Sequence, residues 1–95
     1  MPSNVVRKWE ASWCGSCKQL EPLLVKVAKE FGVEVEAVDI EAQGELAKEN
    51  NIRSLPTLHF LANGQLTLAR PGAGNVTEAN LREMFQQAFG GNDEG

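Results

Sequence analysis

The feature that most constrains this chain is the pair Cys14 and Cys17, which lies where one sequence pattern gives way to another. Residues 5–11 predict a short strand, whereas from Cys14 onward the apolar side chains recur at helical spacing. The apolar positions of this helix are Leu20, Leu23, Leu24, Val27 and Phe31. Gly32 follows them and predicts the end of the helix, because glycine adopts a positive φ without steric cost. A C-x-x-C pair between a strand and a helix is typical of a redox site.

The rest of the pattern predicts an α/β fold. Residues 33–40 predict a second strand and residues 44–51 a second, short helix. An Asn-Gly pair between the segments PTLHFL and QLTLAR predicts a β-hairpin. Thr77 predicts the N-cap of a last amphipathic helix, which Gly90 closes. The order β-α-β-α-β-β-α therefore predicts a right-handed crossover and a mixed four-stranded sheet, flanked on its two faces by three helices.

Composition and charge exclude several classes of protein. With 95 residues, of which 42% are apolar, we expect a single domain over residues 1–89 and a flexible tail at residues 90–95. The net charge of -4 argues against nucleic-acid binding, which requires a basic surface. No apolar run reaches the length of a membrane span. The first ten residues lack the apolar core of a signal peptide, so we expect a cytoplasmic protein.

The position of the dithiol predicts different roles for its two sulfurs. Cys14 falls at the start of the helix, where free N–H groups and the helix dipole favour a thiolate. Cys17 lies about one turn further along, so it is better placed to resolve a mixed disulfide than to start one. Gly15 and Ser16 carry no bulk that would block a substrate. Lys18 either adds a modest positive field or is simply a solvated helix residue.

Two other roles for the cysteine pair remain open at this point. A closed zinc site needs four ligands, and C-x-x-C supplies two. His59 is the only histidine and lies in a predicted strand, where we expect an ordinary hydrogen bond rather than catalysis. We therefore predict no metal site. An inert, structural cysteine pair is the second alternative.

The residues around these motifs resemble the thioredoxin family. The segment WCGSCK is similar to its active-site signature, which usually reads Trp-Cys-Gly-Pro-Cys-Lys. Pro22 stands five residues after Cys17, where the family has a proline in the helix. Residues 51–65, NIRSLPTLHFLANGQ, resemble the family's cis-proline segment and hairpin, and Gly74 matches a glycine before the last helix. The resemblance covers residues 5–89 and implies a minimal thioredoxin fold, similar in outline to short, phage-type members.

This resemblance implies a thiol–disulfide oxidoreductase that reduces protein disulfides and takes part in electron transport. It implies that Cys14 attacks, that Cys17 resolves and that Trp13 flanks the site. Pro56 would follow Leu55 through a cis peptide bond and lie against the dithiol, and the backbone of Leu55 would pair with an extended substrate. Gly74 would lie on the same substrate surface. The implied protein is a monomer without a bound cofactor, and a thioredoxin reductase or another thiol donor regenerates it.

The sequence also departs from the family pattern. Ser16 replaces the usual proline, so the reduction potential is expected to differ. Many thioredoxins carry a buried carboxylate six residues before the first cysteine, and here that residue is Lys8. Glu10 lies on the same strand face by parity and is a candidate for the missing carboxylate. A charged Lys8 near Cys17 would favour its thiolate, and a neutral one could accept its proton. We favour the alternative that Lys8 extends to solvent and takes no part.

Three further functions are compatible with the same residues. One is a glutaredoxin-like enzyme that uses glutathione, which the short architecture favours and the Trp13 flank opposes. Another is a protein-binding module in which the dithiol is incidental. The last is a metal or iron–sulfur protein in which C-x-x-C pairs bridge two chains.

Overall fold

A computed structural model describes residues 3–90 of the chain. The predicted order of strands and helices is confirmed, with one addition, a 3₁₀ turn at Ala73–Asn75 before the last helix. The elements are β1 (Asn4–Glu10), α1 (Gly15–Phe31), β2 (Glu34–Asp39), α2 (Gly44–Glu49), β3 (Thr57–Ala62), β4 (Gln65–Arg70) and α3 (Glu78–Phe89). Gly90, the first residue of the predicted tail, caps α3, as the sequence also predicted. The rest of the predicted tail, residues 91–95, lies outside the described residues.

The four strands form one mixed sheet in the order β2-β1-β3-β4. β1 and β2 run parallel, as the strand–helix–strand pattern predicts, while β1–β3 and β3–β4 are antiparallel. β1 is thus an inner strand with a hydrogen-bonded neighbour on each side. It fixes the position of the short connection that leads from Glu10 to Cys14.

Helices cover both faces of the sheet, as predicted. Val6 of β1 lies in the main core, in which α1 and α3 pack on the sheet. Trp9 points to the opposite face, because side chains alternate along a strand, and packs there with Val38 and with Ala47 of α2. Phe85 of α3 makes an edge-to-face contact with Phe60 of β3, with ring centroids 5.2 Å apart.

Local signals in the sequence place the ends of the main elements. Gly32 ends α1 with φ 68°. Thr77 caps α3, and its hydroxyl accepts a hydrogen bond from the backbone N–H of Asn80. Asn63 and Gly64 both have positive φ in the hairpin turn. The predicted boundaries differ by one or two residues, since the last turn of a helix and the ends of a strand depend on tertiary contacts.

Candidate active site

Cys14 is the N-cap of α1, so its sulfur sits where the helix has unpaired N–H groups. The backbone N–H of Cys17 donates to Cys14 Sγ at 3.2 Å. An N–H donor and the positive end of the helix dipole both stabilise a negative sulfur at this position. The local geometry therefore favours the Cys14 thiolate when the pair is reduced.

The two cysteines are bonded to each other as a disulfide, with their Cα atoms 5.3 Å apart. The relative exposure of Cys14 is 7% and that of Cys17 is 1%. Cys14 also lines a cleft at the surface, whereas Cys17 lies one turn deeper among Ala11, Ile40 and Leu55. An incoming substrate therefore reaches Cys14 first, and Cys17 is in bonding range of Cys14.

The cleft beside Cys14 has a volume of about 410 Å³. Trp13, Gly15 and Ser16 form its wall on the α1 side, and residues 52–55 form the facing wall. Trp13 is 66% exposed, and its indole Nε1 donates to Glu41 Oε2 at 3.1 Å. The cleft is open to solvent beside the sulfur.

Pro56 directly precedes β3 and follows Leu55, which lines the cleft. The Leu55–Pro56 peptide bond is cis, and the carbonyl oxygen of Pro56 accepts a hydrogen bond from the backbone N–H of Ala73 at 2.8 Å. This bond holds the 3₁₀ turn against the start of β3. The turn carries Gly74, which lies beside Ser16.

Gly74 packs directly on Ser16, between the two cysteines. A Cβ at Gly74 would lie 3.0 Å from Ser16 Cβ and 3.6 Å from Pro56 Cδ, so no larger residue fits without a shift. The hydroxyl of Ser16 lies 3.5 Å from Cys14 Sγ. Because a sulfur in a disulfide carries no proton, the hydroxyl is the donor in this state. The structure thus brings Gly74 and Pro56 close to Ser16, whose hydroxyl in turn lies beside the sulfur of Cys14.

Lys8 lies beneath the dithiol, and the expectation that it extends to solvent is wrong. Its side chain is only 2% exposed. The ammonium forms ion pairs with Glu10, at 2.6 Å, and with Glu21 of α1, and it donates to the carbonyl oxygen of Cys17 at 3.4 Å. The side chain does not extend to solvent because α1 covers this face of β1.

Lys8 is charged in this environment. Burial alone would lower its pKa, but hydrogen bonds and Coulomb attraction from Glu10 and Glu21 outweigh burial and raise the pKa above the ordinary value. Glu10 was found by strand parity. Glu21 was missed, although it follows Cys17 by four residues and so shares its helix face, which is the signal that could have found it.

The other candidate residues lie outside this arrangement. Lys18 is an exposed helix residue. His59 is buried in β3, where its Nδ1 accepts a hydrogen bond from Trp9 Nε1 at 3.2 Å, as expected of a strand histidine. Within residues 3–90, no three side chains of the His, Cys, Asp or Glu types are grouped as a metal site would need. No helix in the same range is both long and apolar enough to cross a membrane.

A dithiol at a helix N-terminus, reached from the inner strand of a mixed sheet, is an arrangement that can carry out thiol–disulfide exchange. The chain belongs to the thioredoxin family, because the family model "Thioredoxin" matches residues 2–87. A relative from Streptomyces coelicolor is 41% identical over 83 residues, which are 82% of this chain and 58% of that protein. A thioredoxin from Geodia cydonium is 36% identical over 84 residues, which are 87% of this chain and 77% of that protein.

Solved structures show the same fold. A thioredoxin variant from Halobacterium salinarum superposes with a TM-score of 0.82 at 26% identity, covering 92% of this chain and 75% of that one. The germline-specific thioredoxin Deadhead of Drosophila melanogaster superposes with a TM-score of 0.78 at 28% identity, covering 90% of this chain and 80% of that one. The fold class predicted from the sequence is therefore confirmed.

Proposed function

We propose that this protein reduces disulfide bonds in other proteins through a mixed disulfide at Cys14. The Cys14 thiolate attacks one sulfur of the substrate disulfide, and the other substrate sulfur leaves as a thiolate that takes a proton from water. The Cys17 thiol then loses its proton and attacks Cys14 Sγ. This step releases the second substrate thiolate and leaves the Cys14–Cys17 disulfide, so two electrons pass from the dithiol to the substrate.

The observation that carries this proposal is the asymmetry of the two sulfurs. Cys14 Sγ caps α1, accepts the Cys17 N–H and faces a cleft, while Cys17 is 1% exposed. A thiolate is the attacking species in disulfide exchange, and the attacker must be accessible. Cys14 meets both conditions, whereas Cys17 is not accessible to a substrate, which assigns the two roles.

We place the substrate in the cleft as an extended segment. Leu55 lines the cleft directly before the cis Pro56 and before the first residue of β3. Its backbone is therefore positioned to pair with an extended chain, in the manner of strand addition. Trp13 offers a large exposed apolar surface on the other side of the sulfur.

The oxidised protein needs a source of two electrons to act again. A thioredoxin reductase fits the family and the Trp13 flank, which makes the protein a carrier in an electron-transport chain. We place it in the cytoplasm, because both cysteines belong to the redox pair and such pairs serve as catalysts in reducing compartments. We further propose that the protein works as a monomer, in keeping with the thioredoxin family to which the chain belongs.

Insulin reduction followed by turbidity tests the proposal. The reduced wild-type protein should accelerate precipitation, Cys14→Ser should abolish the effect, and Ser12→Ala, a change at an exposed residue nearby, should leave it unchanged. Cys17→Ser should accumulate a mixed disulfide with the substrate. A wild-type rate equal to that of Cys14→Ser would contradict the proposal.

The electron donor is identified by a second comparison. Turnover is measured with NADPH and a thioredoxin reductase, and separately with glutathione and glutathione reductase. We expect faster turnover with the thioredoxin reductase. The opposite order would show a glutaredoxin-like use of glutathione. If both cysteines become serine and a partner protein is still bound with unchanged affinity, binding rather than redox chemistry is the function.

A further inference from the structure

The group of charges beneath the dithiol consists of Lys8, Glu10 and Glu21, and we call it the Lys8 cluster. Its ammonium donates to the carbonyl oxygen of Cys17, the residue that resolves the mixed disulfide. The neighbours of Lys8 on the adjoining strands, Ala37 of β2 and Leu58 of β3, carry no charge. The charged groups that face Lys8 are therefore the two carboxylates, one from β1 and one from α1.

Exposure decides which charge of the cluster acts most strongly on Cys17. The side chains of Glu10 and Glu21 are 29% and 44% exposed, so water screens their negative charge. The Lys8 side chain is 2% exposed and Cys17 is 1% exposed. Charges interact more strongly where water is excluded. Water therefore screens the ammonium less than it screens the two carboxylates, although the formal charge of the cluster is negative.

We propose that Lys8 is a positioning residue that favours ionisation of the Cys17 thiol and so accelerates the resolving step, while Glu10 and Glu21 hold Lys8 in place and charged. This inference rests on the proposed function, in which Cys17 resolves the mixed disulfide. Lys8 neither gives up nor accepts a proton. Its ammonium is shielded from solvent, and beyond the two carboxylates its one further hydrogen bond within residues 3–90 is to the carbonyl oxygen of Cys17.

The resolving step balances without any additional reactant. The Cys17 thiol transfers its proton to water, and the resulting thiolate attacks Cys14 Sγ. The new Cys14–Cys17 bond forms as the bond between Cys14 and the substrate sulfur breaks. The substrate thiolate leaves and is protonated by water. The ammonium of Lys8 stabilises the negative charge on Cys17 before it moves to the leaving sulfur.

The ionisation of Cys17 is measured in a Cys14→Ser background, where Cys17 is the only thiol. Thiolate absorbance against pH gives the pKa. We expect Lys8→Met to raise this pKa by about one unit or more, which is a tenfold fall in the thiolate fraction. In Lys8→Arg, which keeps the positive charge, the pKa of Cys17 should stay close to the wild-type value. Lys29→Met removes a charge from the exposed end of α1 and should leave the pKa unchanged.

A kinetic readout follows in the chain with both cysteines. The mixed disulfide with a substrate peptide should persist roughly threefold longer in Lys8→Met near neutral pH, because the fall in the Cys17 thiolate fraction is partly offset by the greater nucleophilicity of a more basic thiolate. The difference should shrink as the pH rises above the pKa of Cys17 in the variant. A lifetime that is unchanged, or lengthened equally at all pH values, overturns the inference.

Lys8→Met leaves two carboxylates unpaired, and a buried ion pair broken in this way can unfold a protein. The triple variant Lys8→Met, Glu10→Gln, Glu21→Gln removes all three charges and avoids that problem. If the ammonium dominates, the pKa of Cys17 rises in the triple variant. If the pKa falls or stays constant, the inference is wrong. Wild-type insulin reduction remains intact in that case, which separates this failure from failure of the proposed function.

Discussion

Cys14 has two tasks in this structure, since the atom proposed to attack the substrate is also the cap of α1. Its sulfur accepts the Cys17 N–H that the first turn of the helix leaves unpaired. Serine, threonine, aspartate or asparagine usually fill this position. The chain thus uses a cysteine where a cap is needed, and the same hydrogen bond that begins the helix stabilises the reactive thiolate.

Gly74 is a residue whose size matters for the same site. Gly74→Ala should lower the stability by about 1–3 kcal/mol, because the new Cβ would lie 3.0 Å from Ser16 Cβ and force the dithiol turn to move. Insulin reduction should slow as well. Urea denaturation and the turbidity assay measure the two effects.

Gly44→Ala is the matched control for this change. A Cβ at Gly44, the first residue of α2, would meet no atom within 4 Å. Alanine also favours a helix over glycine. We expect unchanged activity and no loss of stability. Equal urea midpoints for Gly74→Ala and the wild-type protein would show that the 3₁₀ turn yields without cost.

At the scale of elements, α3 depends on Phe85 for its attachment to the sheet. The ring is fully buried and packs edge-to-face on Phe60 and against Phe31 of α1. Phe85→Ala should cost about 3–5 kcal/mol, which is a large part of the total stability of a domain of this size. Gln86→Ala, at the next and exposed position of α3, should change stability little. Thermal unfolding followed by circular dichroism measures both, and a similar loss for the two variants would contradict this account of the core.

The sequence predicted the elements well because the signals that define them are local. Helical periodicity, the Asn-Gly turn, Gly32 and Thr77 each act within a few residues of the boundary they set. The contact of Lys8 with Glu21 joins β1 to α1 across 13 positions of sequence. Helical spacing places Glu21 on the face of Cys17, but only the packing of α1 on β1 brings it to Lys8. The bond from Trp13 to Glu41 spans 28 positions and was missed for the same reason. The role of Gly74 could be predicted only from the family resemblance, because glycine is needed there for a close approach between segments that are distant in sequence.

At the scale of the whole molecule, His59 makes the stability depend on pH. Burial, and then the positive charge of Arg7, hold the pKa of His59 below its ordinary value of 6.5. The unfolded chain therefore binds the proton at a higher pH than the folded one. The folded state keeps its full advantage above about pH 6.5 and loses it as the pH falls through 6.5 toward the lower pKa of the folded state.

We expect the free energy of unfolding to fall between about pH 7 and pH 5 in the wild-type protein. His59→Asn, which offers Trp9 an acceptor that does not titrate, should show a flatter profile over this range. Glu30 and Glu78 have pKa values lowered by their partners Arg82 and Lys26, so their contributions are lost only below pH 4.5. Urea titrations at several pH values decide the matter. Parallel profiles for the two proteins would rule out His59 as the cause.

The direction of β3 fixes where the hairpin lies in relation to the dithiol. Trp9, near the end of β1, pairs with Thr57, whereas Asn4 at its start pairs with Ala62. The Asn63–Gly64 turn therefore lies at the end of the strands opposite the cysteines. A fluorophore, a tether or a solid support attached at that turn would leave the dithiol accessible to solvent. The turn is therefore a suitable attachment site for an immobilised protein.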